Sequence, residues 1–105
     1  MTDRELLEAA AKAEGHAYPW VLSARGGERP WNPLTDDGDA LRLAVKLGLF
    51  ISHSAYKPGE NAYGFVRISW YGQRVEFEPE KFTDDPLAAT RRAIVRAAAQ
   101  IGKNL

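Results

Sequence analysis

The apolar period of this chain changes at one point, and that change limits its fold more than any other feature. Before Gly48, in residues 3–14 and 36–47, the apolar residues recur every three to four positions. From Leu49 they begin to alternate, most clearly in Tyr63 to Trp70, where Val66, Ile68 and Trp70 fall on one side and Phe65, Arg67 and Ser69 on the other. A helix repeats every 3.6 residues and a strand every two, so the chain must be helical first and sheet-forming afterwards. Helical spacing returns after Asp85-Pro86, where Leu87, Ile94 and Ile101 recur every seven residues with Ala97 and Ala98 between them. A chain of this order is α+β.

The punctuation sets the boundaries. Thr2-x-x-Glu5 is a capping box, and Gly15 supplies a left-handed stop, so the first helix spans Asp3–Glu14. Thr35 is the expected N-cap of a second helix over Asp36–Leu47, with Asp36, Asp37 and Asp39 complementing the helix dipole and Gly48 ending it. Asp85 caps, and Pro86 opens, a third helix over Pro86–Ile101, closed by Gly102. The alternating region divides into strands Leu49–Tyr56, Tyr63–Trp70 and Arg74–Glu78. Lys57-Pro58-Gly59-Glu60-Asn61 and Tyr71-Gly72-Gln73 are the turns. The expected fold is a three-stranded antiparallel meander packed with three helices, in the order α-α-β-β-β-α. Its core would contain Leu6, Leu41, Val45, Val66, Ile68, Leu87, Ile94 and Ile101. Residues 16–34 hold three prolines, Gly26-Gly27, Trp20 and Trp31, and are expected to be irregular, with a short extended piece over Tyr18–Leu22.

At 105 residues the chain has room for one domain, residues 1–105, with one core. Fourteen basic and fourteen acidic side chains balance. Without a basic excess, direct nucleic-acid binding is disfavoured, and charge repulsion does little to oppose self-association. Three strands also leave two open edges, so a homo-oligomer is expected. With no cysteine, disulfides, thiolate nucleophiles and thiolate metal sites are excluded. The charged N-terminus does not resemble a signal peptide and no apolar run reaches membrane length, so a cytoplasmic, membrane-free protein is expected.

Enzyme signatures are missing. His16 and His53 lack ligand-spaced partners, and there is no nucleophile elbow or phosphate-cradling glycine loop. No catalytic residue, metal site or cofactor is therefore assigned. Binding chemistry is better represented. Trp31 sits between prolines and beside Asn32, where a ring can wall a pocket. Arg91 borders the core stripe one turn from a helix N-terminus, and Arg92 and Arg96 share a helix face. Trp31, Asn32, Thr35, Arg91 and Arg92 form a candidate site for a small anionic or nucleotide-like ligand, provided the two helix starts meet. The competing readings are a core plug for Trp31 and a solvated face for the arginines.

Two segments carry a family resemblance. Trp31-Asn32-Pro33-Leu34-Thr35-Asp36 leads into the second helix, and Asp85-Pro86-Leu87-Ala88-Ala89-Thr90-Arg91-Arg92-Ala93 opens the third. Taken in order around a meander, they resemble the phage ABA-sandwich domains, small accessory proteins of phages and prophages. The resemblance covers residues 31–105, and the loop after Gly15 fits no part of it. It implies a sheet layered with helices on both sides and a phage or prophage protein in the host cytoplasm, with no catalytic residues to carry over. In that setting the first reading is sequestration of a nucleotide-like immune signal. The second is inhibition of a host defence protein, with residues 16–31 as the contact element. The third is a DNA-metabolism or virion accessory role.

Overall fold

A computed structural model of the chain describes residues 1–53, 64–70, 75–77, 79–81 and 85–105. It is α+β, with three helices and antiparallel sheets of two and four strands. Helix α1 spans Asp3–Glu14, α2 Asp37–Leu47 and α3 Pro86–Lys103. Strands β1 (Trp20–Leu22) and β2 (Glu28–Pro30) pair with each other. Strands β3 (Leu49–His53), β4 (Phe65–Trp70), β5 (Val75–Glu76) and β6 (Glu80–Lys81) form the larger sheet. The turn expected at Lys57–Asn61, the strand ends at Tyr56 and Tyr63, the Tyr71–Gln73 turn, Arg74 and Glu78 lie outside the described residues.

The capping logic holds for α1 and α3. Thr2 and Glu5 exchange both capping-box hydrogen bonds, at 3.1 and 3.2 Å, and Gly15 is left-handed at φ 100°. The Asp85 carboxylate accepts from the Ala88 N–H at 3.0 Å. The cap of α2 is Asp36 instead of Thr35, because the Asp36 carboxylate takes the Asp39 N–H at 2.7 Å.

Helix α3 is the centre of the molecule. It buries Ala93, Ile94, Val95, Ala97, Ala98 and Ile101 because the sheet lies on one side and α1 and α2 on the other. Val66 and Ile68 of β4 meet it from the sheet, both almost fully buried. Gly102 does not end the helix, which runs on to Lys103. It sits instead where α1 crosses, and a Cβ there would fall on the Ala9 carbonyl oxygen.

The third strand of the expected meander is broken. Trp70 pairs with Val75 and Ser69 with Glu76, but Val66 pairs with Glu80 and Phe65 with Lys81, so β6 has slipped one residue relative to β5. The slip falls around Pro79, which has no N–H for the ladder, and an extra residue there is a bulge. Phe77, just before it, still donates to the Ile68 carbonyl at 2.9 Å and is buried. Phe50, Ser52 and Arg67, on the sheet face away from α3, are exposed.

Residues 20–30 form a hairpin where an irregular loop was expected. Gly26 donates to the Ser23 carbonyl at 3.0 Å and is left-handed at φ 87°, and Ser23 donates to Gly27 at 2.8 Å. A turn followed by a left-handed glycine matches the right-handed twist of short strands.

Three residues assigned to the core are on the surface: Leu41 is 60% exposed, Val45 72% and Leu87 63%. The rotation of α2 explains the first two. This helix turns Asp39, Ala40, Leu43 and Ala44 inward, so Leu41 and Val45 point away. Leu87 lies in the first turn of α3, ahead of the stretch enclosed by its neighbours. Leu6, Val66, Ile68, Ile94 and Ile101 are buried as expected.

Candidate functional site

The Trp31–Asp36 segment and the start of α3 do come together. Arg91 donates from Nε to the Leu34 carbonyl at 2.8 Å and from Nη1 to the Asp37 carboxylate at 2.6 Å. Several of their polar groups are engaged with one another. The Asn32 side-chain oxygen accepts from the Leu34 N–H at 3.0 Å, and its carbonyl accepts from Thr35 and Asp36. The Thr35 hydroxyl reaches only the Asn32 carbonyl, at 3.4 Å. The ring of Trp31 is 2% exposed and belongs to the core, with His16 edge-on at 4.5 Å between ring centres. It presents no stacking plane to solvent, so the pocket-wall reading gives way to the core-plug reading.

The arginines of α3 are likewise distributed among neighbours and do not converge. Arg91 binds Asp37, the first residue of α2, and Arg92 binds Asp3, the first residue of α1, at 3.3 Å. Arg96 binds Glu80 of β6 at 2.7 Å. Three arginines within six positions therefore tie α3 to three elements. The exposed Arg92–Asp3 pair contributes little to stability, while Arg91 is mostly buried and spans two partners. We expect Arg91→Ala to destabilise the fold by about 1–2 kcal/mol, since it leaves the Leu34 carbonyl unpaired. Urea unfolding should show a lower midpoint with an unchanged slope.

The strongest polar centre is Asp39, which the sequence grouped with Asp36 and Asp37 as an acid of the helix start and did not connect to any arginine. Asp39 is buried at 2% exposure and holds three elements at once. Its Oδ1 accepts from Arg29 of β2 at 2.6 Å and from Arg42 of α2 at 3.0 Å, and its Oδ2 accepts the Asn32 N–H at 3.0 Å. Burial opposes ionisation of Asp39, but Arg29, the Asn32 N–H and Arg42 together outweigh it and hold its pKa below the ordinary value. The Asp39 carboxylate likewise raises the pKa of Arg29, chiefly through their hydrogen bond. A sequence signal existed: Asp39 shares the inward phase of Leu43, four residues on.

This clasp fixes the β1–β2 hairpin. Two more bonds hold its other strand. His16 Nδ1 lies 2.9 Å from the Trp20 carbonyl, and the Trp31 N–H donates to the Pro19 carbonyl at 2.9 Å. The carbonyl can only accept, so His16 carries its proton on Nδ1. Its Nε2 faces the buried Glu14 carboxylate at 3.3 Å, outside hydrogen-bond geometry. Burial raises the pKa of Glu14, and His16 opposes the rise.

With one face pinned, the hairpin turns Trp20 and Leu22 outward, 47% and 78% exposed, while Val21 faces the core. Pro30 sits directly opposite Trp20 and is also exposed. Trp20, Leu22 and Pro30 form an exposed apolar patch, bordered by Glu28 opposite Leu22. Among the described residues no group of three or more His, Asp or Glu side chains is placed to hold a metal, and no helix is long and apolar enough to cross a membrane. Comparison with protein-family models, with curated proteins and with solved structures gives no match to this chain.

Proposed function

We propose that this is a non-enzymatic binding protein that acts through the outward face of its β1–β2 hairpin on a protein partner. The observation that carries the reading is the exposure of Trp20 and Leu22 on an element locked from behind by Asp39, His16 and Trp31. Tryptophan dominates interface energetics, and a platform that is already ordered loses little entropy on docking. The small-ligand reading at Trp31, Asn32, Thr35, Arg91 and Arg92 loses support, because the Trp31 ring is buried and Arg91 and Arg92 are paired with Asp37 and Asp3. The resemblance to phage ABA-sandwich domains supplies the setting: a counter-defence protein in the host cytoplasm whose partner belongs to a defence complex.

Co-purification from host lysate, compared between the native chain and Trp20→Ala/Leu22→Ser, tests this. Both side chains are largely exposed, so the variant should keep its unfolding midpoint. Loss of a central tryptophan should weaken a direct interaction by roughly 30-fold or more. A partner retained equally by both proteins, or none held by either, would contradict the reading. Light scattering separates a foreign partner from a second copy of the chain, which the open strand edges favour.

A further inference from the structure

A second surface, remote from the hairpin, has the makings of a ligand site. Between α1, α3 and the bulged edge of the sheet lies an open cleft of about 400 Å³. Leu6, Phe77, Ala93 and Ala97 form its apolar floor, all four nearly fully buried. Arg96 and Lys103 stand at its rim, two turns apart on α3. Arg96 is neutralised by Glu80. Lys103 has no ion pair among the described residues; its ammonium touches only the Met1 thioether, at 3.9 Å. Glu5, whose carboxylate feels the Lys103 charge, is engaged by Thr2 in the capping box. The cleft is thus apolar at its base and positively charged at one end, in the size range of small-molecule sites.

We propose that this cleft binds a small amphipathic anion, with its hydrocarbon part on Leu6, Phe77 and Ala97 and its acidic head on Lys103. Apolar contact provides the affinity, and the Lys103 cation, unpaired among the described residues, sets the polarity of binding. Ala93 and Ala97 carry only a methyl group each, so the α3 side of the floor leaves open space beside Phe77.

Three probes separate the contributions: octanoate has both the tail and the charge, octanol only the tail, and acetate only the charge. Titrations followed by methyl and aromatic NMR shifts should show octanoate saturating with shifts centred on Phe77, Ala93 and Ala97. Octanol should bind at least about tenfold more weakly and acetate should not saturate, as expected for one charge-assisted contact added to apolar burial. Lys103→Met keeps the stem and should bring octanoate down to the octanol level. Gln100→Trp, at an exposed rim position, should block both probes without changing the fold. Octanol binding as tightly as octanoate, an octanoate affinity unchanged in Lys103→Met, or shifts centred on Trp20 and Leu22 would each overturn the proposal.

Discussion

Asp39→Ala is expected to destabilise the protein by roughly 3 kcal/mol, as when one partner of a buried ion pair is removed. The substitution strands two guanidinium groups and the Asn32 N–H, which all converge on this carboxylate. The loss falls at the lower end of the range for buried pairs, because Arg29 and Arg42 are 35% and 62% exposed and can rehydrate. It should also be local in its consequences. The hairpin loses the clasp on β2, so its amides should exchange with solvent faster than those of α3.

The pH dependence has a definite sign. Asp39 has a folded pKa below the ordinary aspartate value of 3.8, so its contribution is complete above that value and is lost as pH falls through the folded pKa. Glu14 acts oppositely. Its folded pKa lies above 4.5, so the stability it contributes is present below 4.5 and is lost as pH rises through the folded value. Denaturant midpoints measured from pH 7 down to 2.5 should therefore fall more steeply at the acid end for the native chain than for Asp39→Ala. Parallel curves would show that Asp39 is not the clasp described here.

Gly102→Ala should cost about 2–3 kcal/mol, although the same change inside an ordinary helix gains roughly 1 kcal/mol. The new methyl would collide with the Ala9 carbonyl oxygen, with the Ala9 carbonyl carbon 2.8 Å and the Ala13 nitrogen 3.3 Å away. These are backbone atoms of α1 and cannot turn aside as a flexible side chain would. Relief requires α1 and α3 to move apart along an interface of alanines, where each contact depends on close approach. Thermal unfolding is the check, and an unchanged or raised midpoint would mean that the helices do not cross at this point.

The helices were legible because their signals are local. Thr2, Glu5, Gly15, Asp85 and Pro86 act on backbone groups within four residues of themselves, and the alternation of β4 needs no partner to be seen. The errors arose where a distant contact set the outcome. Leu41 and Val45 looked like core residues beside a charged Asp39, but the arginine on β2 makes Asp39 the inward residue and turns the leucine and valine out. The hairpin was hidden because three-residue strands are too short to show a period, and the meaning of Gly26 depends on a turn that only pairing reveals. Gly102 looked like a stop because glycine often follows a helix, while its neighbour from α1 lies more than ninety positions away in sequence. Whether the Trp31 and Arg91 motifs meet was left open by the sequence; Arg91 joins them through Leu34 and Asp37, and composition could not show that these groups would be spent on one another.

The most direct test of the central claim is hydrogen–deuterium exchange on the chain alone and in complex with its co-purified protein partner. The clasped hairpin should gain the largest protection, concentrated in residues 20–30, and Trp20→Ala should abolish it. Protection centred instead on the exposed face of α2, around Leu41 and Val45, with the hairpin unchanged, would contradict the account.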